Sequence, residues 1–227
     1  MLKLYIGNKN YSSWSLRPWL MLRQAGITFE EILLRFDDMA ASSPFKQQIN
    51  KVNPSGTVPV LVDGDLVVWD TLAIAEYAAE KFPEARLWPQ ATAARARARS
   101  ICAEMHSGFG AVRQNFPMNL EASLLPIGQI VLRDNAAART QLARIDALWC
   151  ALLAEHGGPL LFGDFSIADA YFAPVCTRIQ TYGLPVSPTA QAYVERVRQL
   201  SAMQAWTDAA LLERDFVVID EPYRASR

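Results

Sequence analysis

The feature that most constrains this chain is a pair of short apolar runs, residues 58–62 and 66–69, separated by Asp63-Gly64-Asp65. An Asp-Gly step between β-branched runs is the strongest short-range signal for a β-hairpin. Pro59 lies one residue into the first run, and a proline cannot donate to a sheet ladder. The run therefore begins at a sheet edge, or the proline marks a special turn. If the Val58-Pro59 bond is cis, we expect the Val58 main chain to turn its N–H and C=O outward, free for an extended ligand.

A helix is predicted directly after the hairpin, over residues 72–81. Asp70 is a good N-terminal cap for it, because its carboxylate can accept a hydrogen bond from the first turn. A helix start also offers unpaired N–H donors and partial positive charge. This one stretch thus predicts a free backbone edge beside a helix start that favours anions.

The arrangement resembles the glutathione-binding half of the glutathione S-transferase superfamily, on Val58-Pro59 and on Asp70-Thr71-Leu-Ala-Ile74 with Tyr77. The resemblance implies a cis Pro59 and a Val58 main chain that pairs with the cysteinyl part of glutathione. It also implies that Asp70 and Thr71 hold the γ-glutamyl carboxylate, with Asp-Thr replacing the usual Glu-Ser or Gln-Ser. Taken alone, the same residues also fit a plain hairpin packed on a helix.

Three serines lie where a first helix is expected to begin. Residues 2–6 alternate apolar and polar, which predicts a strand, and Pro18 belongs in the first turn of the helix that follows. A serine O–H aimed at a thiol, together with a helix N-terminus, can supply the about 2.7 kcal/mol that lowers a thiol pKa of ~8.5 by ~2 units. The commoner role of serine at such a position is to cap the helix.

Residues 12–17, Ser-Ser-Trp-Ser-Leu-Arg, look like the zeta-class marker Ser-Ser-Cys-x-x-Arg. The resemblance implies that Ser12 is the partner of the thiolate, with Ser13 the second choice. Trp14 stands where the marker has cysteine, which argues against zeta isomerase chemistry and against the branches that need a cysteine nucleophile there. Tyr11 is the one rival hydroxyl donor.

The loop before the hairpin is expected to reach the other end of glutathione. In the resembling family it often supplies a basic or amide side chain to the glycyl carboxylate. Lys46, Gln47, Gln48 and Lys51 are the candidates, and spacing does not choose among them.

Beyond residue 91 the strand signal fades and helical periodicity takes over, with a long helix predicted over residues 91–112 and another over 127–155. The resemblance implies an electrophile pocket built from Trp14, Met105, Phe109 and Arg113. Apolar residues such as Met105 and Phe109 are more often part of the hydrophobic core than of a pocket. His106 has the chemistry of a general acid, but a lone histidine is more often structural and we leave it out of the catalytic set.

Ser166 and Asp169 are spaced as a helix capping box, and Phe165 just before the cap can act as a hydrophobic staple. This matches the buried capping box in the second domain of glutathione transferases, where it serves folding and not catalysis. The resemblance, carried by motifs in both halves, therefore implies a thioredoxin-like α/β domain over residues 1–81, a linker over 82–91 and an all-helical domain over 92–227.

The expected function is a serine-type glutathione S-transferase that directs the thiolate of glutathione at a hydrophobic electrophile. The alternatives are a zeta-like, glutathione-dependent cis–trans isomerase of the maleylacetoacetate type and a non-catalytic binding protein with this fold. A formal charge of −1 gives no case for nucleic acid or an anionic membrane. Three dispersed cysteines and two histidines predict neither a disulfide framework nor a metal site. We expect a cytoplasmic protein and, by analogy with the superfamily, a homodimer.

Overall fold

A computed structural model describes all residues from Met1 to Arg227. The first part of the chain contains four strands and three helices: β1 (Leu2–Ile6), α1 (Ser13–Gln24), β2 (Phe29–Leu33), α2 (Pro44–Ile49), β3 (Val60–Asp63), β4 (Leu66–Trp69) and α3 (Thr71–Lys81). The rest is helical: α4 (Thr92–Ser107), α5 (Gly110–Asn115), α6 (Leu125–Asp134), α7 (Ala136–His156), α8 (Ile167–Tyr182), α9 (Pro188–Gln199) and α10 (Ser201–Glu213). No helix combines the length and the apolar composition needed to cross a membrane.

The sheet has the strand order β2-β1-β3-β4, with β1 parallel to β2 and every other pair antiparallel. The predicted hairpin is confirmed, because Asp63 pairs with Leu66 across the turn that holds Gly64. Gly64 has φ +61°, a conformation that glycine adopts without a steric penalty. The Val58-Pro59 bond is cis, as the resemblance implied. The fold class predicted from the sequence, a thioredoxin-like sheet domain followed by a helical domain, is confirmed.

Helix α8 is the central element of the helical part, and every residue in it except Gln180 is buried. It packs against α1 from the sheet domain as well as against α4 and α9. Around it, the indole of Trp149 makes edge contacts with the rings of Phe172 and Tyr193. The apolar core therefore runs without a break from the sheet domain into the helical domain.

Two helices predicted as continuous are broken in the structure. The first stops at Ser107 because Gly108 and Phe109 leave the helical conformation, and α5 starts afresh at Gly110. The second is divided at Asn135, whose side chain accepts a hydrogen bond from the Ala138 N–H and so caps α7. Apolar periodicity does not register such breaks, because it continues in phase across a single capping residue.

The predicted capping box is present at the start of α8. The Ser166 N–H donates to Asp169 Oδ2 over 2.9 Å, and the Ser166 hydroxyl accepts from the Ala168 N–H over 3.3 Å. Asp169 Oδ1 also accepts from the Leu161 N–H at 3.1 Å and from the Tyr193 hydroxyl at 3.0 Å. Burial raises the pKa of Asp169 to about 6, against the opposing effect of these donors. The carboxylate therefore joins the loop before α8 to helix α9.

Replacement of Gly128 by alanine is expected to lower the free energy of unfolding by about 1–3 kcal/mol, the usual effect of overpacking. A Cβ at this position in α6 would lie 1.9 Å from the backbone oxygen of Tyr182, so α6 or α8 must move. Gly110→Ala in α5 is the matched control, because a Cβ there meets no atom within 4 Å. Urea unfolding of both variants checks the expectation. Equal stability of the two variants would contradict the close approach of α6 to α8.

Candidate active site

A cleft of about 310 Å³ lies between the sheet domain and α4. Seven residues line it: Trp14, Thr57, Val58, Pro59, Asp70, Thr71 and His106. The first six come from the start of α1, the turn before β3 and the start of α3, whereas His106 comes from the end of α4. The structure therefore brings together Trp14 and all four residues predicted to bind glutathione.

The main chain of Val58 offers an unused donor and acceptor to the cleft. Val58 precedes β3, which begins at Val60, and neither its N–H nor its C=O forms a hydrogen bond within the protein. Buried or half-buried backbone groups are nearly always paired. An extended ligand that supplied one donor and one acceptor would complete this edge as a short strand pair.

Asp70 is held in an uncommon backbone conformation, with φ 72° and ψ 135°. A non-glycine residue in this region carries a strain of about 1–3 kcal/mol and is found mainly at functional sites. Its Oδ1 accepts from the Leu72 N–H at 2.8 Å and caps α3, while Oδ2 lies 3.2 Å from Nε2 of His106. The carboxylate thus fixes the helix start and the histidine on opposite sides of the cleft.

Thr71 accepts a hydrogen bond from the helical domain. The Tyr171 hydroxyl donates to Thr71 Oγ1 over 2.8 Å, so the threonine hydroxyl retains its own proton for another acceptor. Nδ1 of His106 lies 3.5 Å from the same oxygen. A side chain that can donate, at the N-terminus of α3, suits the recognition of a carboxylate.

Arg17 lies next to Trp14 and Tyr171 and has no counter-ion. It is 2% exposed, its Nε and Nη1 have no hydrogen-bond partner, and it forms no salt bridge. Its guanidinium stacks on the ring of Tyr171, 4.8 Å away, and on the ring of Trp14, 4.2 Å away. Burial lowers the pKa of Arg17 to about 10, which still leaves it protonated at neutral pH. Its uncompensated positive charge favours an anion in the cleft above it.

The three candidate hydroxyl donors differ sharply in what they already contact. Ser12 is 6% exposed, caps α1 by accepting from the Ser15 N–H, and donates its proton to Ser15 Oγ over 2.7 Å. Tyr11 donates to Glu221 Oε1 over 2.7 Å, and burial together with that carboxylate raises the pKa of Tyr11 to about 12. Ser13 is the first residue of α1, is partly exposed, and its hydroxyl makes no hydrogen bond. Of the three, Ser13 has the free donor.

Of the four residues expected in the electrophile pocket, only Trp14 lines the cleft. Met105 is fully buried and Phe109 is 5% exposed, and both belong to the hydrophobic core. They lie on the face of α4 and its end that packs inward, so the prediction that they line the pocket is wrong. Trp14 lines the cleft, and the Arg113 guanidinium lies 5.5 Å from the centre of its indole ring.

None of the four side chains proposed for the glycyl carboxylate lines the cleft. Gln47 and Gln48 donate to carbonyls of their own segment, and the Lys51 side chain forms no hydrogen bond or salt bridge. Lys46 donates from Nζ to the Gly56 carbonyl over 2.7 Å, which places it next to Thr57 at the cleft edge. Its position next to the cleft edge therefore favours Lys46 among the candidates.

His106 is the site residue that the sequence analysis set aside. It lines the cleft, contacts Asp70 and Thr71, and its ring meets the Trp14 indole edge-on with 5.1 Å between the ring centres. A sequence signal was present, because a titratable residue directly follows the buried Met105 near the end of an inward-facing helix. That signal does not reveal the partners, which are more than thirty residues away.

Three relatives match this chain over most of its length. Glutathione S-transferase 1 of Dianthus caryophyllus is 39% identical over 191 residues, covering 82% of this chain and 81% of that protein. A probable maleylacetoacetate isomerase of Caenorhabditis elegans is 27% identical over 191 residues, covering 82% of each. A stringent starvation protein A homolog of Pasteurella multocida is 28% identical over 182 residues, covering 78% of this chain and 77% of that protein.

Family models and a solved structure agree with these relatives. The model of the glutathione S-transferase N-terminal domain matches residues 11–81, and that of the C-terminal domain matches residues 93–209. The theta class glutathione S-transferase from Xanthomonas axonopodis pv. citri, solved with glutathione bound, has a TM-score of 0.65 to this structure at 26% identity. That similarity covers 91% of this chain and 96% of the solved one.

Proposed function

This chain belongs to the glutathione S-transferase family, and we propose that it uses a serine hydroxyl at the start of α1 to hold the thiol of glutathione as a thiolate. The observation that carries the proposal is the cleft in which the unpaired Val58 main chain faces the start of α3. The thiolate would attack a hydrophobic electrophile that enters from the side of the helical domain. Such catalysis positions two reactants and shifts one pKa, so it needs no metal.

The cleft residues fit the three parts of the tripeptide. The Val58 N–H and C=O suit the cysteinyl main chain, and Asp70 with Thr71 suits the γ-glutamyl end, where amino and carboxylate groups adjoin. Lys46 at the cleft edge suits the glycyl carboxylate. A tripeptide bound this way places its sulfur towards the start of α1, where Ser13 has a free hydroxyl and the helix N-terminus favours negative charge.

Arg17 adds a longer-range contribution to the same end of the site. Its unpaired guanidinium lies beneath Tyr171, whose hydroxyl supports Thr71. A buried positive charge in a medium of low polarity acts more strongly than one in water. We therefore place the γ-glutamyl carboxylate near Arg17, where its negative charge compensates the positive charge of the guanidinium without direct contact.

Replacement of Thr71 by valine is expected to weaken glutathione binding about tenfold or more, because one hydrogen bond to a charged group is worth about 1.5–3 kcal/mol. Isothermal titration calorimetry with glutathione measures the change. Thr71→Ser keeps the hydroxyl and should bind nearly as the unchanged protein does. Thr140→Val is the control, since the Thr140 hydroxyl bonds only to the Ala136 carbonyl on exposed α7.

Thiolate formation is read separately from binding, from the ultraviolet absorbance of the complex at neutral pH. Saturable heat together with thiolate absorbance supports the transferase, and heat without thiolate supports the non-catalytic alternative. Absence of heat on folded protein would end the proposal.

The second enzymatic candidate is a glutathione-dependent cis–trans isomerase. The named maleylacetoacetate isomerase among the relatives favours it, whereas Trp14 in place of the marker cysteine opposes it. Turnover of maleylacetone without net consumption of glutathione would select the isomerase over the transferase.

We also propose a homodimer that works in the cytoplasm. Trp69 and Leu66 on edge strand β4 are about half exposed, and large apolar side chains on a sheet edge suit contact with a second copy. All three cysteines are free thiols, as a reducing compartment would leave them.

A further inference from the structure

Positive charge is concentrated around the indole of Trp14, which forms one wall of the cleft. The guanidinium of Arg17 lies 4.2 Å from the centre of this ring and that of Arg113 lies 5.5 Å from it. The His106 ring meets the indole edge-on. Two permanent cations therefore share one aromatic side chain that faces the substrate space.

Neither guanidinium is neutralised by the protein. Arg17 and Arg113 form no salt bridge, and Nε and Nη1 of Arg17 are buried without any partner. The one side-chain hydrogen bond of Arg113 runs from Nε to the Gly108 carbonyl over 3.0 Å, which leaves both terminal amino groups without an acceptor in the protein. Asp70 is the only carboxylate that lines the cleft, and its two oxygens already contact His106 and the Leu72 N–H at the start of α3. Two cations that no carboxylate of the protein neutralises therefore lie beside the Trp14 wall of the cleft, although neither is part of its lining.

The two arginines differ in the helix that carries them and in their burial. Arg17 is on α1 and almost fully buried beneath Tyr171 and Thr71, so its charge acts on the γ-glutamyl end of glutathione. Arg113 is on α5 in the helical domain, is only half-buried, and is tethered through Nε alone. Its free terminal nitrogens are on the domain expected to meet the second substrate. A planar pair of N–H groups matches a carboxylate in geometry as well as in charge.

We infer that the second substrate carries a carboxylate and that Arg113 recognises it. This inference rests on the proposed function, because it names the substrate class of the same site. Trp14 supplies the apolar surface for the body of the electrophile, and Arg113 fixes its charged end. The enzyme then prefers an anionic electrophile to a neutral one of the same shape.

Binding of two conjugates that differ at a single aryl carboxyl group tests this inference without the need for turnover. The probes are S-(4-carboxy-2-nitrophenyl)glutathione and the compound in which that aryl carboxyl alone is a methyl ester, and calorimetry gives their dissociation constants. We expect the acid to bind about tenfold to a hundredfold more tightly than the ester. Arg113→Gln should abolish that preference by weakening the acid alone, and Arg113→Lys should restore part of it. Arg97→Gln, which removes an exposed arginine from a surface pair on α4, should leave the preference intact.

Three results would overturn the inference: equal binding of acid and ester by the unchanged protein, parallel weakening of both by Arg113→Gln, or binding of glutathione but of neither conjugate. Unaltered affinity of Arg113→Gln for glutathione itself shows that the variant is folded. Failure of the unchanged protein to bind glutathione would instead refute the proposed function. The two failures are therefore distinguishable in one set of titrations.

Discussion

Alanine in place of Asp169 is expected to lower the free energy of unfolding by about 3–5 kcal/mol. The carboxylate is fully buried and accepts hydrogen bonds from the Leu161 and Ser166 N–H groups and from the Ser166 and Tyr193 hydroxyls. Each buried donor that loses its only acceptor costs about 1–3 kcal/mol. Loss of the cap adds about 1 kcal/mol for α8, the helix on which both domains pack.

Urea unfolding followed by tryptophan fluorescence and circular dichroism measures this effect. Asp169→Asn keeps one acceptor oxygen and should fall between the alanine variant and the unchanged protein. Asp134→Ala is the control, because Asp134 is exposed and paired only with Arg133 at the surface. Surface ion pairs contribute little, so this control should stay within about 1 kcal/mol of the unchanged protein. A loss below 1 kcal/mol for Asp169→Ala would show that α8 does not depend on this carboxylate.

The features that could be predicted from the sequence are those made by residues close together in the chain. The hairpin around Gly64 and the Ser166–Asp169 capping box each occupy a few consecutive residues. Local backbone geometry and a short side-chain bridge determine them, and a short segment of sequence carries that information. The cis bond at Val58-Pro59 and the grouping of Val58, Pro59, Asp70 and Thr71 in one site come instead from the family resemblance.

What the sequence could not provide depends on contacts across the fold. The Asp70–His106 pair and the Tyr171–Thr71 hydrogen bond join residues from different domains, and nothing in their spacing indicates the pairing. The family resemblance places Met105 in the pocket, although an apolar residue on an inward face is more often part of the core. Only the packing of α4 on α8 decides between the two. The preference for Ser12 over Ser13 comes from the resemblance to the zeta-class marker, and the hydrogen bond from Ser12 to the Ser15 hydroxyl shows only in three dimensions.

Ser13→Ala is expected to remove most thiolate from the glutathione complex and to slow conjugation at pH 6.5 by about tenfold or more. The hydroxyl of Ser13 is free at the first position of α1, and a hydrogen bond to a charged acceptor is worth about 1.5–3 kcal/mol, or about 1–2 units of thiol pKa. The N-terminus of α1 continues to favour the anion, so the pKa returns only part of the way to ~8.5. Activity should therefore recover as the pH rises, because the thiol ionises without help in alkaline solution.

Ser12→Ala separates this role from helix capping. Ser12 gives its proton to Ser15 Oγ and accepts from the Ser15 N–H, so its loss should cost about 0.5–2 kcal/mol of stability and leave the thiol pKa nearly unchanged. Tyr11→Phe should also spare the thiolate, because the Tyr11 hydroxyl is bonded to Glu221. The measurements are the pH dependence of kcat/KM, thiolate absorbance and calorimetric affinity for glutathione. If Ser12→Ala abolishes the thiolate and Ser13→Ala retains it, then glutathione binding must rotate the Ser12 hydroxyl away from Ser15, and the assignment reverts to Ser12.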